Sequence, residues 1–173
     1  MKTKFSFLIV LISLLMTSAY SQEKSKKELK EEEKLQKQKQ VEDLINTKDF
    51  VFKGRWALPM GAKQVDLSTN PNYVKFNPDL MDGYMPFFGT ATSGIGFGSD
   101  NTIKFKDKPE SFNIVKSKKN FQIDAKVKGE NDIYRISLSV TFEGSSSMSI
   151  ISNNRSTISY QGEILPAATI KYK

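Results

Sequence analysis

The sequence predicts a mainly β (α+β) protein in which one charged helix precedes an antiparallel sheet of about eight strands. A stretch rich in Lys, Glu and Gln, without Gly or Pro, gives way near residue 50 to a period-two alternation of apolar and polar residues. Short alternating runs then recur with turn residues between them. We expect such a sheet to roll into a barrel or a two-layer sandwich, and the pattern leaves both architectures open.

Residues 1–21 have the parts of a secretory signal peptide. Two lysines precede an almost wholly apolar run over residues 5–16, and Ala19-Tyr20-Ser21 fits the small-x-small cleavage rule. The run is shorter than the ~20 residues that a membrane-spanning helix needs. We therefore predict cleavage before Gln22. A retained membrane anchor and a buried core helix are the alternatives.

Residues 22–49 are predicted to form a charged helical stem. Ser25 and Glu28 match a capping box, in which each side chain satisfies a free backbone N–H at a helix start. The apolar stripe is sparse and becomes denser only at Val41, Leu44 and Ile45, so the last two turns are expected to dock on the body of the protein. A solvated spacer without a partner is favoured over a coiled-coil helix, because heptads are absent.

Residues 50–173 are predicted to form a single β-domain. In the first strand, Phe50, Phe52, Trp56 and Leu58 alternate with Val51, Lys53, Arg55 and Ala57, and Pro59 ends the run. Further strands are predicted at residues 63–67, 73–76, 102–105, 112–115, 121–127, 134–142, 147–152 and 158–164. Asn-, Gly- and Pro-containing turns separate them, which indicates an antiparallel meander.

Two residue types are missing, and their absence excludes most enzyme chemistry. The chain has no His and no Cys. Catalytic triads, thiol chemistry and ordinary zinc, haem or iron–sulfur sites are therefore excluded. No EF-hand pattern is present either. We expect no cofactor, no metal and no catalytic residues. A hydrolase that uses carboxylates alone is the catalytic alternative, and it needs two acids in one cleft.

The basic charge of the chain consists almost entirely of lysine. There are 23 Lys and 3 Arg, and the formal net charge is +7. Nucleic-acid readers usually need arginine forks on a concentrated basic face, whereas these charges are spread along the chain. We expect a solvated lysine surface, no nucleic-acid partner and at most peripheral membrane association.

Residues 78–100 break the regular spacing and are predicted to form a long loop. The stretch contains five glycines and many large apolar residues, among them Met81, Tyr84, Met85, Phe87, Phe88, Ile95 and Phe97. Long loops with this composition are often functional. Within it, Gly94, Gly96 and Gly98 suggest a phosphate-binding loop, but no helix pattern follows them, so a flexible or tightly turned loop is favoured.

Two segments resemble the signature stretches of a family of exported bacterial proteins named domain of unknown function 4251. They are residues 84–91, YMPFFGTA, and residues 152–162, SNNRSTISYQG. The order of signal peptide, charged helix and an aromatic first strand ending in Leu-Pro is also similar. Thr90 departs from the arginine that the resemblance leads us to expect. The family has no assigned activity. The resemblance implies export to the periplasm or cell surface of a Gram-negative bacterium.

The two segments supply the predicted ligand-binding residues, which are Tyr84, Phe87, Phe88 and Arg155. Large aromatic side chains in a mobile loop can bury a ligand by shape, and an arginine can anchor an anion. Each has a structural alternative: Phe87 and Phe88 can plug the core, and Arg155 can cap carbonyls of its own turn.

The leading functional hypothesis is a non-catalytic binding or interaction protein of the cell envelope, with an unidentified envelope component as its partner. The alternative is a barrel that carries a small apolar ligand, and a carboxylate-only hydrolase is the third. A filled interior favours the first hypothesis, an enclosed apolar cavity the second, and a cleft with paired acids the third.

Overall fold

The computed structural model describes residues 26–91, 101–129 and 132–169. The predicted signal peptide, Ser25 of the capping box and the glycine run of residues 94–98 lie outside these residues. The described elements are, in order, α1 (Lys26–Asn46), β1 (Phe50–Pro59), β2 (Val65–Asp66), β3 (Tyr73–Phe76), β4 (Met81–Pro86), β5 (Thr102–Asp107), β6 (Ser111–Lys116), β7 (Asn120–Lys128), β8 (Ile133–Thr141), β9 (Ser145–Ile151), β10 (Ile158–Pro166) and a final 3-10 turn (Ala167–Thr169).

The ten strands form one antiparallel sheet, which confirms the predicted mainly β class. The strand order is β5-β4-β3-β1-β10-β9-β8-β7-β6, and β2 pairs with β1 beside this path. The sheet curls into a half-barrel. Its curvature brings Phe105 of β5 against Tyr134 of β8, with ring centroids 5.7 Å apart. Strands β5 and β6 are the two ends of the described sheet.

One strand lies inside the stretch that was predicted to be a loop. Strand β4 pairs with β3 on one side and β5 on the other. Every second residue of β4 is buried, namely Met81, Gly83 and Met85. Because Gly83 has no side chain, the sequence does not show this alternation of apolar and polar residues. A Cβ at Gly83 would collide with the ring of Phe105, so only glycine leaves room for that ring. The prediction of a loop over residues 78–100 was therefore wrong for this part.

A β-bulge in β1 reverses which side chains of its second half point toward the core. The pairing of β1 with β10 shifts between Gly54 and Trp56. Beyond this shift Ala57 is fully buried and pairs with buried Tyr160, whereas Trp56 is only half-buried and pairs with exposed Gln161. The simple alternation that groups Trp56 with Phe50 and Phe52 therefore fails at the bulge, because an extra residue reverses the sides.

The inner face of the half-barrel is filled by side chains. Helix α1 and every strand except β2 and β6 contribute to one hydrophobic cluster, and partly buried residues of β2 and β6 pack against it. Phe50 and Phe76 stack within it, with ring centroids 5.3 Å apart. Burial of this kind stabilises a fold by roughly 25 cal/mol for each Å² of apolar surface, and the fold has no disulfide to assist it.

Helix α1 changes character along its length. The segment over residues 26–34 is exposed and charged. From Leu35 onward the helix belongs with the β-domain by its contacts. There Ile45 is fully buried and Val41 and Leu44 pack against the core, as the thickening stripe predicts. Among the described residues, no helix has the length and apolarity needed to cross a membrane.

Candidate functional site

The outer face of the sheet carries a row of residues that crosses four strands. The registers place Trp56 of β1 beside Gln161 of β10, Gln161 beside Ser147 of β9, and Ser147 beside Ser139 of β8. Because residues paired across strands share a face, these four side chains follow one line. Three strand spacings give the line a length of about 14 Å.

Short side chains make the floor of this face low. Strands β8 and β9 contribute Ser139, Ser145 and Ser147 to it, and the floor continues to Gln161 of β10. Trp56 is larger than its neighbours and half-buried, so it stands at one side of the floor. Serines beside a large indole therefore create a depression on the outer face.

The bulge that turns Trp56 outward is held by a buried side chain. The backbone N–H of Gly54 donates to Oδ1 of Asn72 at 2.7 Å, and Nδ2 of Asn72 donates to the carbonyls of Leu67 and Asn70 at 3.3 and 3.1 Å. On the facing strand, a Cβ at Gly162 would collide with the carbonyl of Lys53. The position of the indole thus depends on a fixed backbone arrangement.

We call the resulting depression the outer groove. Its volume is about 920 Å³, and its lining includes residues 37–41 of α1 as well as strands β1, β8, β9 and β10. The lining residues are Lys37, Gln40, Val41, Lys53, Gly54, Arg55, Trp56, Ser68, Ser139, Thr141, Glu143, Gly144, Ser145, Ser146, Ser147, Gln161, Gly162, Glu163 and Ile164. This volume lies in the range of small-molecule sites.

The polar groups of the outer groove differ in whether they already have partners. Ser139 accepts a hydrogen bond from Asn120 at 2.6 Å. Within the described part of the chain, the side chains of Trp56, Gln161 and Ser147 form no hydrogen bond. These groups therefore remain available to a ligand.

A carboxylate continues the row beyond Trp56. Asp66 of β2 pairs with Trp56 and accepts hydrogen bonds from the hydroxyl and backbone N–H of Ser68, at 2.5 and 2.7 Å. These bonds hold the pKa of Asp66 below its usual range, and the positive charge of Arg55 adds to the effect. Asp66 is therefore an ionised acceptor at one end of the row.

A second, smaller concavity lies on β4 and β5. Its volume is about 480 Å³. Tyr84, one of the predicted site residues, lies here with the ammonium of Lys104 5.3 Å from its ring centroid. Beside it Asp82 accepts a hydrogen bond from the Tyr73 hydroxyl at 3.0 Å and lies 3.5 Å from Lys106. The polar groups here are thus largely occupied with one another.

The two signature segments meet at one corner of the sheet. The backbone N–H of Ser156 donates to the carbonyl of Thr90 at 2.9 Å, and the hydroxyl of Ser156 accepts from the N–H of Thr90 at 3.1 Å. The hydroxyl of Tyr160 donates to the carbonyl of Pro86 at 2.8 Å. Burial raises the pKa of Tyr160, and the charge of Arg155 opposes this rise. The signature thus encodes contacts between two distant parts of the chain.

The structure brings Phe87 and Arg155 together at this corner. The Arg155 guanidinium carbon lies 5.0 Å from the centroid of the Phe87 ring, within cation–π distance. Phe87 is only 3% exposed and belongs to the core, whereas the neighbouring Phe88 is 40% exposed. Tyr84 lies apart from these, in the second concavity. A role for these four residues in ligand binding stays a prediction.

Sequence reasoning missed the outer groove and its most distinctive residue. Trp56 is the single tryptophan of the chain, and that fact is the signal which singles it out. Its strand pattern places it with the apolar side chains of β1, and only the bulge reveals the opposite face. The floor serines give no signal either, because serines in strand positions are ordinary on a solvated face.

The described residues contain no cluster of three or more His, Cys, Asp or Glu that would suit a metal ion. Two carboxylates, Glu143 and Glu163, line the outer groove together with Lys37, Lys53 and Arg55. The groove therefore offers hydrogen bonds, one aromatic surface and charges of both signs. It offers no nucleophile–base arrangement of the kind that histidine or cysteine would provide.

Comparison with known proteins identifies the family of this chain. A family profile described as "Domain of unknown function (DUF4251)" matches residues 32–164. A crystal structure of a DUF4251 family protein from Bacteroides eggerthii DSM 20697 aligns with a TM-score of 0.62 and 15% sequence identity, covering 79% of this chain and 95% of that chain. At this identity the likeness shows a shared fold. No curated protein matches the chain. Because the profile spans most of the sequence and includes both signature segments, this chain belongs to the DUF4251 family.

Proposed function

We propose that the protein is a non-catalytic binding protein of the bacterial cell envelope and that the outer groove holds its ligand. The contrast between the two faces of the sheet carries this proposal. The inner face is filled by the core cluster, whereas the outer face has an open groove of about 920 Å³ with polar groups that have no partner among the described residues. Binding surfaces combine such polar groups with an aromatic anchor.

An apolar-ligand carrier has less support. A carrier of that kind needs space inside its barrel. Here buried side chains from α1 and from the strands of both halves of the sheet occupy the interior. The outer groove is lined largely by Ser, Gln, Lys and Glu, which an apolar ligand would leave without hydrogen bonds.

A carboxylate-only hydrolase is the second candidate. One observation favours it: Glu143 and Glu163 line the same groove. Hydrolysis of a glycosidic bond by two acids requires a separation of roughly 5–5.5 Å or 6.5–9.5 Å, according to mechanism. Release of a cleaved product during a binding experiment would therefore replace the non-catalytic proposal with this one.

Export to the envelope is part of the proposal. Residues 1–21 have the charge, length and cleavage motif of a signal peptide. The intact mass of the protein recovered from an envelope fraction tests this point. A mass that begins at Gln22 supports export with cleavage, and a mass that retains Met1 contradicts it.

The groove itself is tested with a pair of matched substitutions. Ser147→Trp places a large side chain on the floor of the groove, whereas Ser149→Trp makes the same change on the same face of β9 outside the lining residues. We expect the unchanged chain and Ser149→Trp to sediment with isolated Gram-negative envelopes, and Ser147→Trp to lose at least about tenfold in affinity. Equal sedimentation of both variants would contradict a ligand site in the groove.

A further inference from the structure

We infer that the ligand of the outer groove is an uncharged glycan strand, an inference that rests on the proposed function and names its ligand class. Trp56 carries the first part of the argument. Its indole is half-buried and lies at the edge of a row of short polar side chains. One face of a sugar ring consists of C–H groups, and an indole offers a flat, apolar and weakly negative surface for them.

The side chains along the row supply the second part. Each hydroxyl of a sugar both donates and accepts hydrogen bonds. The serine hydroxyls and the amide of Gln161 also do both, whereas ammonium groups only donate and carboxylates only accept. Since Gln161 and Ser147 have no side-chain hydrogen bond within the described residues, a sugar would gain bonds there without breaking existing ones.

The charges of the groove separate this class from charged polymers. Lys37, Lys53 and Arg55 are accompanied by Glu143 and Glu163, so the two signs nearly balance along the lining. A polyanion such as a nucleic acid needs an excess of positive charge along its backbone path. The balance favours a neutral ligand whose specificity comes from hydrogen bonds and ring packing.

The shape of the site favours an extended ligand. The line of residues from Trp56 to Ser139 spans about 14 Å. Ser147 and Gln161 on this line are exposed, and so are Ser145 and Glu163, which form the next pair on the same face. An open depression of this length leaves both ends of a chain in solvent. A polymer can therefore pass through the groove, and several adjacent sugars can each contact one strand of the sheet.

The single tryptophan provides the experiment. Soluble hexasaccharides of β-linked glucose, N-acetylglucosamine and mannose are titrated into the purified chain that begins at Gln22, and indole emission is followed. Because Trp56 is the only tryptophan, any change in its emission reports on the groove. We expect a saturable change with at least one of the three glycans.

Variants assign the binding to the groove. Calorimetric titration of Trp56→Ala should show affinity weakened at least about tenfold, and Trp56→Phe should retain part of it. Met60→Ala is the control, since Met60 is the most exposed large apolar residue of the described chain, at 74%, and does not line the groove. Melting curves of each variant establish that it is folded.

Two failures can be told apart. If none of the three glycans binds at millimolar concentration while Ser147→Trp still loses envelope binding, the glycan inference is wrong and the groove remains the site of another ligand. If Ser147→Trp binds envelopes like the unchanged chain and no glycan binds, both proposals are wrong. A glycan that binds with equal affinity to Trp56→Ala also overturns the inference.

Discussion

The two faces of this sheet are built from the same strands, but the inner face forms the core and the outer face contacts solvent. On the inner face, strands β7 to β10 present residues such as Ile123, Leu138, Met148 and Tyr160, all fully buried. One position away along the same strands, the outer face presents serine and glutamine. Period-two geometry lets each strand serve both faces independently. Substitutions on the inner face should therefore change stability, and those on the outer face should change binding.

The largest expected difference in stability is between substitutions of two adjacent residues at the corner where the two signature segments meet. Phe87→Ala should lower the free energy of unfolding by about 3–5 kcal/mol, because it empties a buried position. Phe88→Ala should cost distinctly less, about 1 kcal/mol, because 40% of Phe88 is already exposed. Chemical denaturation measures both. Equal losses would show that the corner is core throughout, whereas a small loss in Phe87→Ala would contradict its assignment to the inner face.

A smaller effect is expected from the hydroxyl that joins the two signature segments. Tyr160→Phe removes the hydrogen bond to the Pro86 carbonyl and leaves that carbonyl without its donor. The expected cost is about 1–3 kcal/mol. Chemical denaturation is again the measurement. A variant as stable as the unchanged chain would mean that the segments are held together by their other contacts.

The same residue predicts a response to alkaline pH. Burial raises the pKa of Tyr160 above its ordinary value of 10.0, so above that pH the unfolded chain releases a proton that the folded chain retains. Its contribution to stability is complete below about pH 10 and is lost as the pH rises further. Melting temperatures across this range should fall less steeply in Tyr160→Phe. An unchanged slope would contradict the burial of this hydroxyl.

The stem divides in a similar way into exposed and packed parts. Only Val41, Leu44 and Ile45 of α1 pack with the core. Removal of the chain up to Gln38 should lower the melting temperature by less than ~5 °C, which corresponds to roughly 1–2 kcal/mol at this size. Removal up to Asn46 is the comparison and should cost more. A larger drop in the shorter truncation would show that the stem stabilises the fold.

The smallest effect on stability is expected on the outer face. Ser147→Ala should change the free energy of unfolding by about 0.5 kcal/mol or less, because Ser147 is exposed. If the glycan inference is correct, the same variant should still bind its glycan more weakly, since one hydrogen-bonding hydroxyl is lost. A marked loss of stability would mean that the outer face is also structural.

The sequence was informative where alternation was uninterrupted. Strands β3 and β5 to β10 were predicted within a few residues, because apolar side chains at every second position are what a half-buried strand requires. Strand β4 was missed, since Gly83 occupies an inward position that the Phe105 ring fills from the adjacent strand β5. A contact between two strands that are distant in sequence produces no pattern in the residues around Gly83.

The candidate site was harder to predict for a related reason. The outer groove depends on the bulge after Gly54 and on the side chain of Asn72, which lies 18 residues further along the chain. Neither is visible as a motif. Likewise, Phe87 and Phe88 are identical residues next to each other in the sequence, so no local pattern distinguishes them. In the folded chain Phe87 is buried beside Arg155, whereas Phe88 is exposed.

The two end strands of the half-barrel bear on how the protein avoids self-association. The edge strands of an open sheet offer unpaired backbone N–H and C=O groups to other chains and thereby favour aggregation. Strand β5 carries Lys104 and Lys106, and Lys116 ends β6, with Lys118 and Lys119 in the turn that follows. A copy of the chain that approached either edge would bring lysine against lysine and lose their hydration. The lysines on these two edge strands therefore oppose edge-to-edge pairing between copies of the chain.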